Sequence, residues 1–453
     1  MKKIFYSAAA LIMGLAFTAC SSDDDNNDSN QPSEKEQAMQ AITNQYVEGV
    51  VFPIYKSLAA QTSTLFDQLV DAKAKYRAGS LTQGDIDKIC NTFIAARSAW
   101  ESSESFLYGA ATDFGIDPHI DTWPLDRTAL AKALSSSEII DDLDDLDDGG
   151  IDNARALVGE QQLGFHGIEF IIFRNGKNRT LAALKGVEDD EAFAGRNITG
   201  EQELIFAAAV AGDLRDKCFQ LEVSWLGDKA PQAHQERVEE CEFPTTVGSG
   251  DSSYGDNMLN ATRAGSTLAT WRSVMSTILV AGCSNICAEV AGQKIGQAYL
   301  GTDPDYIESP YSQRSYYDFF DNISSIQYSL YGHQGTSANA SSIMAYLQKY
   351  NATMAASLKS KLDAALAALN TAKAGTPFVV DSHSSNAKAA MDAINALDET
   401  LNEAASWIAT IDGSQRGIFQ NIYGLDIRRR NVVDVVLRET IHNEQRCIVL
   451  TQR

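Results

Sequence analysis

The chain has 453 residues, with 60 acidic against 37 basic side chains and a formal net charge of −23. That balance excludes nucleic acid as an expected partner, because phosphate backbones are bound by basic surfaces. Nine prolines and abundant alanine favour helices over a strand-and-turn architecture.

The first element is an export signal. Lys2 and Lys3 precede an apolar stretch from Ile4 to Phe17, and Thr18-Ala19-Cys20 ends it with small residues before a cysteine. Residues 1–19 therefore read as a signal peptide. Cys20 resembles the acylated cysteine of the bacterial lipobox, although Phe17 stands where that box prefers leucine. The expected address is the cell envelope, as an outer-membrane lipoprotein, with Cys20 as the lipidation site. No later apolar run reads as long enough to span a bilayer, so the expected membrane anchor is lipid. Residues 20–36, rich in Asp, Asn and Ser, cannot bury a core and read as a disordered acidic tether.

Helix then follows helix. Apolar spacing of three and four, as in Leu58, Leu65 and Leu69 or Leu358, Leu362, Leu366 and Leu369, predicts helices over 34–77, 84–110, 152–174, 200–225, 257–299, 313–331, 339–373, 384–410 and 428–446. The expected fold class is all-α. The richest loop lies near 227–256, with Pro244, Gly248, Gly250 and Gly255. It divides an N-terminal bundle, 37–245, from a C-terminal bundle, 246–453. Leu107-Tyr108-Gly109 echoes Leu330-Tyr331-Gly332, a faint sign that the two halves are related.

Without Cys20 six cysteines remain: Cys90, Cys218, Cys241, Cys283, Cys287 and Cys447. An even number in an exported chain permits disulfides, and Cys218–Cys241 is the preferred pair because the two flank a loop.

Candidate chemistry gathers at a few places. His166 and Glu169 sit three apart in the apolar run Leu163–Phe173. They share one helical face, and burial there demands a hydrogen bond, a counter-charge or a metal. Gly164 and Gly167 flank the histidine and would clear space for a ligand or a second helix. The bland reading is a His–Glu hydrogen bond in a helical core; the sharper one is a pair of metal ligands. Ile116–Pro124 reads as a compact loop carrying Asp117, His119, Asp121 and Trp123, and Glu104 lies on the preceding helix. Glu308, Ser309, Tyr311 and Ser312 precede another helix, which Ser309 or Ser312 would cap. The acidic run 141–148 lacks EF-hand spacing and reads as a solvated loop. His442 and Glu444 are two apart and face different sides. His234, His333 and His383 read as surface residues. The sequence has no nucleophile elbow, Walker loop, dinucleotide fingerprint or His-Glu-x-x-His helix.

Gly164-x-His166-x-x-Glu169, Asp117 with Ile120-x-x-Trp123-Pro124, and Glu308-Ser309-Pro310-Tyr311-Ser312 followed by Asp318 and Asn322-Ile323 resemble the imelysin family of exported bacterial proteins. The resemblance spans about residues 37 to 410. It implies two related helical bundles with a functional site at their interface, metal binding by His166 and Glu169, and a link to iron uptake. Glu104, Asp117, Asp121, Trp123, Glu308, Ser309, Tyr311 and Ser312 would shape the pocket. The expected cargo is iron or an iron-bearing compound, handed to envelope transport proteins. The alternatives are a metallopeptidase, with zinc at the same pair, and a non-catalytic scaffold or adhesion lipoprotein. A hydrolytic site needs three ligands, an open water position and a general base, and only two ligands are marked by spacing.

Overall fold

The computed structural model describes residues 32–147, 149–186 and 190–410. Cys20, Cys447, His442, Glu444 and the helix expected over 428–446 lie outside them. The described chain is helical, apart from a two-stranded hairpin pairing Phe173–Arg174 with Lys177–Asn178. The all-α expectation therefore holds.

Ser33 opens the first helix with a capping box: its hydroxyl accepts from the Glu36 amide while the Glu36 carboxylate accepts from the Ser33 amide. Glu34–Tyr46 runs without a break through a π turn, Val47–Val51, into Phe52–Arg77. Pro53 follows that turn; it has no N–H to give and its ring crowds the preceding carbonyls, a strain that a wider turn relieves. Gly200–Leu226 packs along this long helix and is buried almost all round. Gln83–Glu101 covers its other flank.

Four predicted helices are shorter than their apolar pattern or broken. The 257–299 element splits into Tyr254–Leu259 and a helix from Trp271, and the 339–373 element into Ile343–Tyr350 and Ala352–Lys373. The 84–110 element stops at Glu101, where Ser102 and Ser103 follow and the Ser103 hydroxyl bonds back to Trp100 O at 2.6 Å. Serine hydroxyls compete for backbone groups in this way and favour turns. The 152–174 element splits into Gly150–Leu157 and Gly164–Ile172, with Val158 and Leu163 extended between them. Leu-Tyr-Gly then has two different settings. Gly332 ends Ser315–Tyr331 in the left-handed conformation, whereas Gly109 follows a 3-10 turn. The echo therefore carries no argument for a repeat.

In the C-terminal part, Ala352–Lys373 and Ser385–Ala409 form an antiparallel pair. Leu358, Leu362, Ala365 and Leu369 of one meet Ala387, Ile394, Leu397 and Leu401 of the other in the buried core. Ser315–Tyr331 packs on Ala352–Lys373 and also on Gln83–Glu101, so it ties the C-terminal helices to the N-terminal ones. The segment Trp271–Leu300, which includes π turns at Thr277–Ser284 and Val290–Lys294, corrects one expectation: it is long and apolar enough to cross a membrane. Its apolar face is nonetheless spent in the core, with Ile278, Leu279, Cys283, Ile286, Cys287 and Val290 at most 1% exposed. Gly282 allows this helix to touch the 104–106 turn, since a Cβ there would collide with Ser105 O. The turn is held from the far side by Ser325, whose hydroxyl accepts from Ser105 N, and by Ser329.

Other expectations are corrected by packing. Cys218 and Cys241 are free thiols. Cys218 faces Thr62 from within the core, while Cys241 Sγ lies 3.7 Å from Asp216. Asp144 of the acidic run ends the helix Ser137–Asp144 and pairs with Lys73 and Arg77 at 2.9 and 2.6 Å. His234 is not a free surface residue: it stacks on Phe219 and meets Glu222 at 2.5 Å. The loop near 227–256 contains the helix Gln232–Glu240.

Candidate metal centre

Five pieces of chain converge where Ser315–Tyr331 meets Gln83–Glu101. The latter supplies Arg97, Trp100 and Glu101 one turn or less apart. The turn after it supplies Glu104. The segment predicted as a loop is in part a short helix, Ile116–Ile120, whose end delivers Asp121. Gly164–Ile172 supplies His166 and Glu169, and Lys294 closes a π turn of the 271–300 helix. Glu308 and Ser309 come from the segment before Ser315–Tyr331, and Asp318 and Asn322 from that helix itself.

The glycines of the His-containing motif serve the backbone. Gly164 has φ +64° and lies against the Ile120 carbonyl, and a Cβ on it would fall well inside contact distance of that oxygen. A Cβ on Gly167 would meet Gln162 O. The close approach at Gly164 brings the chain carrying Asp121 beside His166. Gly164→Ala is expected to destabilise the fold by more than the ~1 kcal/mol of an ordinary positive-φ glycine, because backbone would have to move as well. A urea midpoint equal to that of the parent chain would contradict this account.

Arg97 is the hub. Its guanidinium pairs with Glu101 at 2.5 Å, with Glu308 at 2.6 Å, with Asp318 at 3.6 Å and, closely, with Asp121. Trp100 Nε1 donates to the second Asp121 oxygen at 2.7 Å. The Lys294 ammonium lies 3.1 Å from Glu308, 3.4 Å from Glu104 and 3.6 Å from Glu101. Asn322 donates to Glu101 at 2.5 Å, and Ser309 donates to Asp318. Ser309 and Ser312 therefore do not cap the helix: Ser315–Tyr331 starts after Arg314 without a side-chain cap, and Ser309 itself takes φ +49°.

His166 is held from one side. Its Nδ1 is 3.3 Å from Glu169 Oε2, while Glu169 Oε1 accepts 2.7 Å bonds from both the amide and the hydroxyl of Ser312. Its Nε2 lies 3.1 Å from Asp121 Oδ1 but off the line that a hydrogen bond requires, and has no hydrogen-bond partner. One oxygen each of Glu104 and Glu308 is likewise buried without a partner. Three sets of donor atoms lie within 4.8 Å of one another: Asp121, His166 and Glu308; Glu101, Glu104 and Asp121; Glu101, Glu308 and Asp318. Glu169 belongs to none of them. It stands behind the histidine, where a carboxylate fixes tautomer and ring direction. Imidazole and carboxylate donors converging in a buried space fit a hard or borderline cation. Asp117, Trp123, Glu289 and Tyr306 form a half-buried rim, with Trp123 packed 5.3 Å from Tyr306 and 6.1 Å from His166. Tyr311 packs edge-on to Phe170, and its carbonyl accepts from Gly176 N; it supports the wall.

Charge states follow from burial and neighbours. Burial disfavours the Asp121 carboxylate, but Arg97 and His166 outweigh it and hold the group below the usual range. Burial would lower His166, yet Asp121 and Glu169 raise it to about 9. Burial pushes Glu308 up to about 7 despite Lys294, and burial with Glu289 pushes Asp117 up to about 8. A carboxyl raised in the folded state contributes stability that grows as pH falls through its folded value. A raised histidine contributes stability that is lost as pH rises through about 9. All three act in one direction, so metal-free protein is expected to melt at a higher temperature at pH 6 than at pH 9.5. Equal or inverted melting temperatures would refute these protonation states.

The Imelysin family model (peptidase M75) matches residues 51–404. The chain belongs to the imelysin family. Iron-regulated protein A of Synechococcus elongatus is 26% identical over 337 residues, which cover 74% of this chain and 77% of that protein. Among solved structures, an iron-regulated protein A precursor of Parabacteroides distasonis is similar with a TM-score of 0.64 and 22% identity, over 84% of this chain and 96% of that one. An imelysin-like protein of Psychrobacter arcticum has a TM-score of 0.51 at 13% identity, over 81% and 93%. These structures share the fold of this imelysin.

Sequence reasoning found His166, Glu169, Asp121, Glu104 and Glu308, and the structure gathers them. It missed Arg97, Glu101, Lys294 and Glu289. A signal was available: Lys294 is the one cation in the apolar stretch 273–300, and Arg97 with Glu101 forms an i,i+4 pair among Ile94, Ala96 and Trp100. Buried charges in such settings need partners.

Proposed function

We propose that this imelysin captures iron, as the ion or in a compound that carries it, in the buried centre formed by Asp121, His166 and Glu308. One observation carries the reading. One donor atom each of Asp121, His166 and Glu308, from three separate pieces of chain, lies within 4.8 Å of the others, and the His166 nitrogen on that side meets Asp121 at 3.1 Å without an aligned hydrogen bond. The donors are oxygen and imidazole nitrogen, with no thiol among them, which suits iron, manganese or zinc rather than soft copper(I). The names of relatives, iron-regulated protein A among them, favour iron within that group. Glu169 acts here as the orienting partner of His166 and not as a ligand, because Ser312 already engages its other oxygen.

Capture is favoured over proteolysis. A hydrolytic centre needs an open coordination position and room for a polypeptide. Asp121, His166 and Glu308 are each at most 3% exposed, so small cargo fits this geometry better than a peptide chain. The envelope role follows the same line. Cys20 would carry the lipid that holds the protein at the outer membrane, and envelope transport proteins would receive the cargo. Cys20→Ala is expected to release soluble protein or leave the precursor uncleaved; unchanged processing and membrane association would refute the lipid anchor.

The deciding experiment is anaerobic iron(II) titration of the purified mature protein, with manganese(II) and zinc(II) in parallel and a cleavage assay on an unfolded polypeptide. Stoichiometric iron binding without cleavage supports capture. Metal-dependent cleavage would make the protein a peptidase, and no metal binding would remove the proposal.

A further inference from the structure

Lys294 has a position that a simple metal site does not require. Its side chain is fully buried, its ammonium lies within 3.6 Å of oxygens of Glu101, Glu104 and Glu308, and the Trp123 ring is 5.1 Å away. Each of these carboxylates also belongs to at least one of the close donor groups. An ammonium and a metal ion compete for the same lone pairs, and because the Arg97 guanidinium already shares Glu308 Oε1 with Lys294, a further cation beside both meets added repulsion. Arg97 is different. It is held at the centre of the cluster by four carboxylates and stands on the α-helix Gln83–Glu101. Lys294 stands on a flexible four-carbon stem at the end of a π turn. The half-buried rim residues Trp123, Glu289 and Tyr306 lie next to it, with Glu289 offering a second carboxylate to an ammonium that moves outward.

We propose that Lys294 is a built-in competing cation, which neutralises the carboxylate nest of Glu101, Glu104 and Glu308 in the metal-free protein and must be displaced toward the rim for a metal to enter. This rests on the reading that the adjoining centre of Asp121, His166 and Glu308, which shares Glu308 with the nest, takes a metal, and it deepens that reading. Lys294 then sets the affinity and helps select charge: a monovalent ion gains nothing over the ammonium it replaces, whereas a di- or trivalent ion does. It also allows reversible release, because the lysine can return.

The test compares the wild-type chain with Lys294→Met and Lys294→Gln, using manganese(II) as the probe and equilibrium binding as the readout. Gln keeps hydrogen-bond donors for the carboxylates, so it separates loss of charge from loss of bonds. Both variants are expected to bind manganese(II) at least tenfold more tightly than wild type. Equal or weaker binding in the folded variants, with measurable binding in wild type, overturns the displacement proposal and leaves the metal site standing. Failure of wild type and variants alike to bind overturns both. Should neither variant fold, the wild-type chain labelled with 15N-lysine decides. Stoichiometric zinc(II) is expected to abolish or shift the slowly exchanging buried ammonium signal. Its persistence unchanged with zinc bound overturns the proposal.

Discussion

His166→Ala is expected to lose metal binding by more than 100-fold while keeping a helical fold. The size follows from comparison: removing a group that merely orients a ligand already costs about 10–100-fold in metal affinity, and removing the ligand costs more. The fold survives because the neighbours of His166 have other partners. Asp121 keeps Arg97 and Trp100, and Glu169 keeps both bonds from Ser312. Only Glu169 Oε2 is stranded, a loss of roughly 1–3 kcal/mol. Glu169→Gln should fall between the two, with weakened but measurable binding. Iron titration and urea denaturation of the same preparations check both effects. A large loss of stability with undiminished binding per folded molecule would mean that His166 is structural only.

Arg97→Gln is expected to produce the largest loss of stability in the molecule, roughly 3–5 kcal/mol or more. The arginine neutralises Glu101, Asp121, Glu308 and Asp318, all buried, and removing one partner of a buried ion pair typically costs that much. Among the described residues Lys294 reaches Glu101 and Glu308 and His166 faces Asp121, but neither pairs with Asp318, so neither replaces the guanidinium. The expected rescue is specific. Arg97→Gln combined with Glu101→Gln should be more stable than the two single losses added together, since one stranded charge has been removed along with its partner. Simple additivity in urea denaturation would show that the two side chains do not act as a unit.

The two expectations separate the roles within one cluster. His166 stands at its edge, oriented from behind by Glu169 and facing Asp121 at 3.1 Å in front without an aligned hydrogen bond, which is the arrangement of a binding group. Arg97 stands at its centre among four carboxylates, with only Nε short of a hydrogen bond at 3.6 Å from Asp318, which is the arrangement of a structural counter-ion. Both are buried and charged or chargeable, and burial alone would not distinguish them.

The amino-acid sequence by itself determined that the chain is helical and where several of its long helices begin. Alanine content, three-and-four apolar spacing and capping residues such as Ser33, Thr82 and Thr199 are local signals, and local signals survive without tertiary information. It also marked His166 and Glu169, because ionisable groups inside a glycine-flanked apolar run are costly unless used. It marked Asp121 by a compact loop rich in ionisable groups, and Glu308 by its place before a helix and the family resemblance. Helix ends were less legible. Apolar residues resume at Phe106 and Leu107 after the polar 101–105 run, and it took the structure to show that the helix ends at Ser102 and Ser103 and that Ser325 and Ser329 hold the turn that follows. The disulfide reading failed for a related reason: Cys218 and Cys241 flank a loop in sequence, but their side chains face Thr62 and Asp216. Division of labour within the centre was decided by tertiary structure alone. Glu169 and Glu308 are both buried glutamates in motifs; one accepts two bonds from Ser312 behind a histidine, and the other faces that histidine across the centre beside Lys294. Residues 97, 121, 166, 294 and 308 are far apart along the chain. No spacing rule relates them, because the distances that make them a site are set by how helices pack and not by how residues repeat.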